Sequence, residues 1–318
     1  MTRLMILIDE PERSALGLEA LAEAAPGVTV TTACNVADAL ATIGECEVLL
    51  TLPQHLGNRS ADLFAAARKL RWVQLVSTGS DKVREHLVGT EVMLTSARGL
   101  HGHQMSEAAV SAMLGLARDT KRLHRNQALG RWERFPAKVL AGKTAAILGL
   151  GVIAEALAPI LRALGMRVVG YSGSARTVDG IDEVRVRAGL AETVGDVDYL
   201  VVLAPLSSET AGLVGAAVFK AMKPTAYLIN IARGGIVDEP ALLAALDAGD
   251  IAGAALDVFA AEPLPADSMW WGHDKVIVTP HVGGIHDGYA ADVLALASDN
   301  LRRFLGGEAL RNRVELGE

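Results

Sequence analysis

The length and composition of the chain argue against several classes of protein. It has 318 residues, of which 51% are hydrophobic and only 4% aromatic, and its net charge of −7 is scattered along the sequence. A chain of this length can bury two cores, and the absence of a basic block argues against nucleic acid as the main partner. Its apolar runs are too short for a signal peptide or a transmembrane helix, so we expect a cytoplasmic protein without a membrane partner.

The N-terminal third alternates apolar runs with amphipathic stretches, the pattern of strands and helices in an α/β fold. Helices are predicted near 13–24, 36–42, 60–69 and 81–87, and a longer one from Gln104 to Gln127. The predicted strands are RLMILID, VTVTT, EVLLT, RWVQLV and EVMLTS. The sequence thus predicts one doubly wound domain followed by a long helix.

A second βα series begins at GKTAAILGLGVIAEAL, and its first turn has the form G-x-G-x-x-A. Gly149 permits the tight turn, Gly151 lets a pyrophosphate approach the backbone, and Ala154 lets the helix pack closely on the sheet. The N-terminus of that helix offers N–H groups to phosphates. A bare tight turn is the alternative, but the position between a strand and a helix favours a dinucleotide site.

The next strand ends in RVVGYSGSAR, where an Asp or Glu commonly binds the ribose of NAD. Ser172 stands at that place instead. Ser172, Ser174 and Arg176 could bind a 2′-phosphate, since no carboxylate repels it. We therefore predict NADP(H) as the preferred cofactor. The alternative is that the loop is merely polar and that NAD(H) is bound.

Three polar residues follow three later apolar runs: Arg233 in YLINIARGG, Glu262 in ALDVFAAEPLP and His281 in VIVTPHVGG. Each run is a predicted buried strand, so the three side chains should meet at one edge of the sheet. Arg233 can bind a substrate carboxylate with its forked guanidinium. His281 can protonate a keto oxygen, and Glu262 can orient its ring and favour the imidazolium form. Taken singly, each residue also fits an ordinary loop charge, turn residue or strand cap.

No metal site is expected. The two cysteines, Cys34 and Cys46, have no second pair and no histidine at ligand spacing. His101 and His103 are likewise without further ligands. A keto group polarised by an arginine and protonated by a histidine requires no metal for its reduction.

The later motifs resemble those of a known family. LAPLSSET, NIARGGIVDEPAL, IAGAALDVFAAEPLP and VTPHVGG are similar to the motifs of the D-isomer-specific 2-hydroxyacid dehydrogenases. The resemblance is specific from about 140 to 285 and weaker over the first domain, which includes VSTGSD at 76–81. Within the family the chain is most similar to the glyoxylate/hydroxypyruvate reductases, partly because no acidic residue follows Tyr171.

The resemblance implies two doubly wound parallel-sheet domains. A Rossmann dinucleotide-binding domain, residues 99–285, would be inserted into a flavodoxin-like substrate domain formed by 1–98 and 286–318. The resemblance also implies that Ser77, Gly79 and Ser80 bind the substrate together with Arg233; an ordinary strand-ending turn is the alternative for that loop. The cofactor contacts that it implies are Val152 and Ile153 over the pyrophosphate, Ala204 and Pro205 on the adenine side, Ile231, Ala232 and Asp257 around the nicotinamide, and Gly283.

These expectations describe a homodimeric oxidoreductase that reduces a small 2-keto acid to a D-2-hydroxy acid with NAD(P)H. Two alternatives remain open. One is a D-2-hydroxyacid dehydrogenase for bulkier keto acids, because the sequence does not reveal the size of the pocket. The other is a non-catalytic dinucleotide-sensing protein that binds a partner, because proteins of one fold can retain the same site residues and still have different functions.

Overall fold

The computed structural model describes residues 1–174 and 176–316 and divides into two compact units. Met1–Leu100 and His286–Glu318 form the first unit, and His101–Ile285 form the second. Each unit contains one sheet, and every strand pair in both sheets is parallel. The predicted fold class, two parallel-sheet α/β domains, is confirmed.

The first unit contains a five-stranded sheet. Its strands are β1 (Thr2–Leu7), β2 (Val28–Ala33), β3 (Val48–Thr51), β4 (Trp72–Leu75) and β5 (Met93–Thr95). They lie in the order β2-β1-β3-β4-β5, which is the flavodoxin-like arrangement. β3 and its neighbour β4 are buried along their whole length, which explains why their sequences are mostly apolar.

Apart from α5, which spans the predicted 81–87, the helices of this part of the chain are shorter than the sequence predicts. They are α1 (Glu10–Ala15), α2 (Leu21–Ala24), α3 (Val36–Ala39), α4 (Ser60–Ala66) and α5 (Asp81–Leu87). Gly17, with a φ of 62°, and a 3₁₀ turn at Leu18–Ala20 interrupt the helix predicted at 13–24. Glycine adopts this left-handed conformation without a steric penalty, so the chain turns here despite its amphipathic pattern.

The second unit contains a seven-stranded sheet. Its strands are β6 (Thr144–Leu148), β7 (Arg167–Ser172), β8 (Glu183–Val186), β9 (Tyr199–Val202), β10 (Tyr227–Asn230), β11 (Gly253–Leu256) and β12 (Val276–Val278). They lie in the order β12-β11-β10-β9-β6-β7-β8. The order reverses beside β6, so a Rossmann-type sheet is extended by one edge strand, and ligands of such sheets bind where the order reverses.

The helices of the second unit are α6 (Gly102–Arg118), α7 (Thr120–Ala128), α8 (Val152–Ala163), α9 (Leu190–Thr193), α10 (Ala216–Ala221) and α11 (Glu239–Ala248). The single helix predicted from Gln104 to Gln127 is therefore wrong. Asp119 interrupts it with a φ of 51°, and its side chain accepts the backbone N–H of Arg122 at the start of α7. A short acidic side chain can adopt this conformation and cap a new helix, which an amphipathic pattern does not reveal.

The C-terminal helix, α12 (Tyr289–Gly306), belongs to the first unit. Val293, Ala297 and Leu301 are buried in the same apolar core as β1. The Tyr289 hydroxyl donates to the carbonyl oxygen of Val76 at 2.7 Å. Across the described residues, none of the helices is both long enough and apolar enough to pass through a membrane.

Candidate active site

Arg233, Glu262 and His281 follow three adjacent strands of the second unit. Arg233 comes after β10, Glu262 after β11 and His281 after β12, and these strands pair in parallel in that order. Their loops therefore begin at the same carboxyl edge of the sheet, as the sequence predicts. β10 and β11 are buried along their whole length, whereas β12 is buried only at Val276.

His281 and Glu262 are in direct contact. The Nδ1 atom of His281 lies 2.8 Å from Oε2 of Glu262. The other carboxylate oxygen of Glu262 accepts the backbone N–H of Phe259 at 2.8 Å. A carboxylate at Nδ1 places a proton on that nitrogen and leaves Nε2 as the atom for proton exchange. The His281 side chain is 49% exposed, so the ring is accessible to a ligand.

Asp257 anchors the loop that carries His281. Its carboxylate accepts the N–H groups of Val282 and Gly283 at 3.1 and 3.0 Å, and also the hydroxyl of Thr279. The His281 N–H donates to the Asp257 carbonyl oxygen at 2.8 Å. These bonds hold His281 at a φ of 53°, a conformation uncommon for residues with a side chain.

This arrangement alters two expectations about the cofactor. Asp257 is only 3% exposed, so a nicotinamide amide would have to share oxygens that the loop already uses. The Gly283 N–H is donated to Asp257, so that donor is engaged within the protein. A Cβ atom on Gly283 would lie 3.0 Å from Oδ2 of Asp257, which accounts for a glycine at this position.

The loop of Arg233 approaches the loop of Glu262 through a glycine. A Cβ atom on Gly234 would lie 2.0 Å from the carbonyl carbon of Phe259, so only a glycine permits this approach. Arg233 itself is half-buried, and its Nη1 donates to the Ala232 carbonyl oxygen at 2.6 Å. A cation, a carboxylate and an imidazole are thus carried by loops that meet, and together they can bind an anion and transfer a proton.

Two supporting residues escaped the sequence analysis. Asn230, 1% exposed, accepts the Ala232 N–H at 3.2 Å and donates to the Arg233 carbonyl oxygen at 3.0 Å. Glu239, at the start of α11, accepts the Ala260 N–H at 2.6 Å and so braces the loop before Glu262. The available signals were a polar residue ending an apolar strand and an acidic residue in the first turn of a helix.

The G-x-G-x-x-A turn fits a dinucleotide. Gly149 has a φ of 102°, and a Cβ atom on it would lie 2.5 Å from the Cα atom of Ala204. A Cβ atom on Gly151 would meet nothing within 4 Å, so the backbone there faces open space. Gly151 is the N-cap of α8 and has no side chain to accept the first N–H groups of the helix. Open space before a helix N-terminus suits a pyrophosphate.

The other expected cofactor residues differ in their exposure. Val152 is 44% exposed and begins α8, with Ile153 half-buried beside it. Ala204 is 1% exposed and packs against Gly149, so it shapes the turn and has little surface for a ligand, whereas Pro205 is exposed. Ile231 and Ala232 follow β10 and are 5% and 9% exposed, so only a small part of each can face a cofactor.

The proposed ribose loop follows β7. Ser172 ends the strand and accepts the N–H of Ser174 at 3.5 Å. Arg176 is exposed and donates to Glu155 of α8 at 3.3 Å. A further cation that the sequence analysis missed, Arg187, lies against Gly173 and forms an ion pair with Glu209.

The expected substrate loop lies in the first unit. Ser77, Gly79 and Ser80 stand between β4 and α5, at the carboxyl edge of the five-stranded sheet, and all three are half-buried. The Ser77 carbonyl oxygen accepts the N–H of Ala97 at 3.0 Å. Ser80 is the N-cap of α5 and makes no capping hydrogen bond with its side chain.

Comparison with known proteins identifies the family of the chain. Residues 110–283 match the family model described as D-isomer specific 2-hydroxyacid dehydrogenase, NAD binding domain. The chain belongs to this family. The resemblance inferred from the motifs is therefore confirmed, and the matched segment contains the dinucleotide turn together with Arg233, Glu262 and His281.

Three known proteins illustrate what the chain is similar to. It is 31% identical to D-3-phosphoglycerate dehydrogenase of Archaeoglobus fulgidus over 80% of the chain and 49% of that protein. It is 31% identical to glyoxylate/hydroxypyruvate reductase A of Salmonella typhimurium over 79% of the chain and 82% of that protein. The structure of NADPH-dependent glyoxylate/hydroxypyruvate reductase from Sinorhizobium meliloti, in complex with NADP and sulfate, aligns with a TM-score of 0.82 and 29% identity over 99% of both chains. The chain spans about half the length of the phosphoglycerate dehydrogenases that it matches.

Proposed function

We propose that this 2-hydroxyacid dehydrogenase reduces small 2-keto acids, such as glyoxylate or hydroxypyruvate, to D-2-hydroxy acids with NADPH. The observation that carries the proposal is the 2.8 Å contact between His281 and Glu262, on loops that meet the loop of Arg233. Similarity to reductases of glyoxylate and hydroxypyruvate supports the substrate class. The second unit, which carries the dinucleotide turn and these three residues, would bind the cofactor.

Each residue has a distinct part in the proposed reaction. A reduced nicotinamide, when bound, supplies a hydride to the keto carbon. His281 donates a proton from Nε2 to the oxygen on which negative charge develops. Glu262 holds the ring and balances the imidazolium charge, and Arg233 binds the carboxylate of the substrate through two N–H groups. In the reverse direction, neutral His281 accepts the proton.

A direct assay tests this proposal. The full chain is mixed with NADPH and a panel of keto acids, and the absorbance of the reduced cofactor is followed. We expect the highest kcat/KM with glyoxylate or hydroxypyruvate. The match to phosphoglycerate dehydrogenases makes a bulkier substrate the second candidate, and a preference for larger keto acids would favour it. Failure to oxidise NADPH or NADH with any keto acid would refute the enzymatic proposal and leave a dinucleotide-binding protein.

The preference for NADP(H) rests on the loop after β7. Ser172 stands where a carboxylate would repel a 2′-phosphate, and Ser174 and Arg176 add donors near it. The similar Sinorhizobium meliloti structure contains NADP. NAD(H) remains a weaker alternative cofactor in this proposal. The measurement is the ratio of the kcat/KM values for NADPH and NADH, which should exceed one.

We also propose that the chain forms a homodimer through its second unit. Leu123, Leu129, Trp132 and Val139 expose 43%, 55%, 95% and 62% of their surface. Several large apolar side chains exposed in one short stretch are characteristic of an interface. Sedimentation equilibrium should give twice the mass of the chain, and Trp132→Glu should weaken the association. A monomer at micromolar concentration would refute this part.

A cytoplasmic location completes the proposal. Both cysteines are free, and Cys34 is exposed, which suits a reducing compartment. Fractionation of cells that produce the protein should recover it with cytoplasmic markers, and recovery with secreted or membrane fractions would contradict the proposal.

A further inference from the structure

Arg187 lies beside the loop that is expected to bind the adenosine ribose. It directly follows β8, whose last residue pairs with Ser172 in the parallel register. A Cβ atom on Gly173 would lie 3.3 Å from Nη2 of Arg187 and 3.7 Å from its Cζ atom. The guanidinium therefore covers Gly173, next to Ser172. Although Ser172 and Arg187 are fifteen positions apart in the sequence, the pairing of β7 with β8 brings them to the same edge of the sheet.

A second contact orients the same guanidinium. Arg187 forms an ion pair with Glu209, which belongs to the loop after β9 that also contains Pro205. The Arg187 side chain is only 18% exposed, whereas the Glu209 side chain is 75% exposed. The cation is thus held in one place by its surroundings, and its carboxylate partner can move into solvent. A half-buried cation is screened less by salt than an exposed one.

We propose that Arg187 is the main cationic ligand of the 2′-phosphate of NADP(H) and that Glu209 occupies it when no phosphate is present. This inference rests on the proposed preference for NADP(H). A phosphate accepts a forked, charge-assisted pair of hydrogen bonds from a guanidinium, and its double negative charge competes well with one exposed carboxylate. Arg176 is less well placed, because its side chain is 42% exposed and is directed to Glu155.

Two adenosine fragments test this assignment without catalysis. Binding of 5′-AMP and of 2′,5′-ADP to the full chain is measured by calorimetry. The ratio of the two affinities gives the contribution of the 2′-phosphate to binding. In Arg187→Met we expect the affinity for 2′,5′-ADP to fall about ten- to a hundredfold, with little change for 5′-AMP. Arg187→Lys should lie between the parent and Arg187→Met, because it keeps the charge and loses the fork.

Two further variants complete the design. Arg162→Met removes an exposed arginine of α8 that pairs with Asp182, and it should leave both affinities unchanged. Glu209→Gln removes the competing carboxylate and should strengthen 2′,5′-ADP binding by up to about fivefold. A thermal melt of each variant establishes that it is folded.

The outcomes separate this inference from the proposal beneath it. If the parent chain binds both fragments equally, the preference for NADP(H) fails, and the Arg187 assignment fails with it. If the parent prefers 2′,5′-ADP and Arg187→Met keeps that preference, only the Arg187 assignment is overturned. An equal loss for both fragments would show that Arg187 contacts adenine instead, which also overturns it. If the protein reduces no keto acid, the affinities for 5′-AMP and 2′,5′-ADP still test the Arg187 assignment.

Discussion

The carboxylate of Glu262 links the His281 side chain to the main chain. One of its oxygens lies 2.8 Å from Nδ1 of His281, and the other accepts the Phe259 N–H at 2.8 Å. The carboxylate therefore has little freedom to rotate away from the ring. Asp257 fixes the backbone of the loop that carries this ring, because its carboxylate accepts the N–H groups of Val282 and Gly283. The imidazole is thus oriented both through its side chain and through its main chain.

Replacement of His281 should abolish most of the activity while cofactor binding persists. His281→Ala should lower kcat for keto-acid reduction about 10²- to 10⁴-fold, because the proton donor is lost. Glu262→Gln should lower it by about tenfold or more, because the ring loses its charged partner. Steady-state kinetics and the dissociation constant of NADPH are the measurements. His103→Ala, at an exposed histidine of α6, is the control. Unchanged turnover in His281→Ala would contradict the assignment.

Arg233→Lys should affect the substrate more than the cofactor. The lysine keeps the charge but binds a carboxylate as a point charge, so we expect KM for the keto acid to rise about tenfold and kcat to fall. The dissociation constant of NADPH should not change. Arg162→Lys provides the matched control on the exposed face of α8. Equal KM values in Arg233→Lys and the parent would show that the fork does not bind the substrate.

Ser172→Asp should move the preference from NADPH towards NADH. A carboxylate at the end of β7 would repel the 2′-phosphate and accept hydrogen bonds from the 2′-hydroxyl of NADH. We expect the ratio of kcat/KM for NADPH to that for NADH to fall at least about tenfold. Ser172→Ala, which removes the hydroxyl without adding charge, should change the ratio less. If both variants behave alike, charge at this position does not select the cofactor.

Two alanine substitutions in the dinucleotide turn should have different effects. Gly149→Ala should destabilise the protein by at least about 1 kcal/mol, because its φ is 102° and a Cβ atom would collide with Ala204. Gly151→Ala has room for the added carbon in the protein and should fold normally. It should nevertheless bind NADPH at least about tenfold more weakly, since the methyl group occupies the space of the pyrophosphate. Thermal melts and calorimetry separate the two effects, and normal binding by Gly151→Ala would contradict the pyrophosphate assignment.

Acid should weaken the second unit through Asp196. A hydrogen bond from the Arg185 guanidinium lowers the pKa of Asp196 to about 2, below its ordinary value of 3.8. The ionised carboxylate therefore stabilises the fold above about pH 4, and this contribution is lost as the pH falls towards 2. Because the Asp196 side chain is 43% exposed, screening limits the contribution, and Asp196→Asn should cost about 1 kcal/mol at pH 7. Urea titrations should show a smaller difference between variant and parent at pH 3. A constant difference would exclude this cause.

The fold class and the chemistry-bearing residues could be predicted from local patterns. Parallel strands that are buried on both faces are mostly apolar, so β3 and β4 stand out in the sequence as short apolar runs. The G-x-G-x-x-A turn can be recognised in the sequence because its glycines are required by the local backbone conformation. Arg233, Glu262 and His281 are readable because each follows such a run. The breaks at Gly17 and Asp119 were missed, since a single left-handed residue hardly changes the periodicity of a segment.

The sequence by itself determined the two parallel α/β sheets, the family and the three residues to which we assign catalysis, because these depend on patterns within a few residues. Only the tertiary structure decided what surrounds them. Asp257 proved to anchor the His281 loop, and Arg187 proved to lie over Gly173 and against Glu209. Such contacts join loops that are distant along the chain, and they depend on the order in which the strands pair. That order is chosen by the packing of the whole sheet, and no local pattern encodes it.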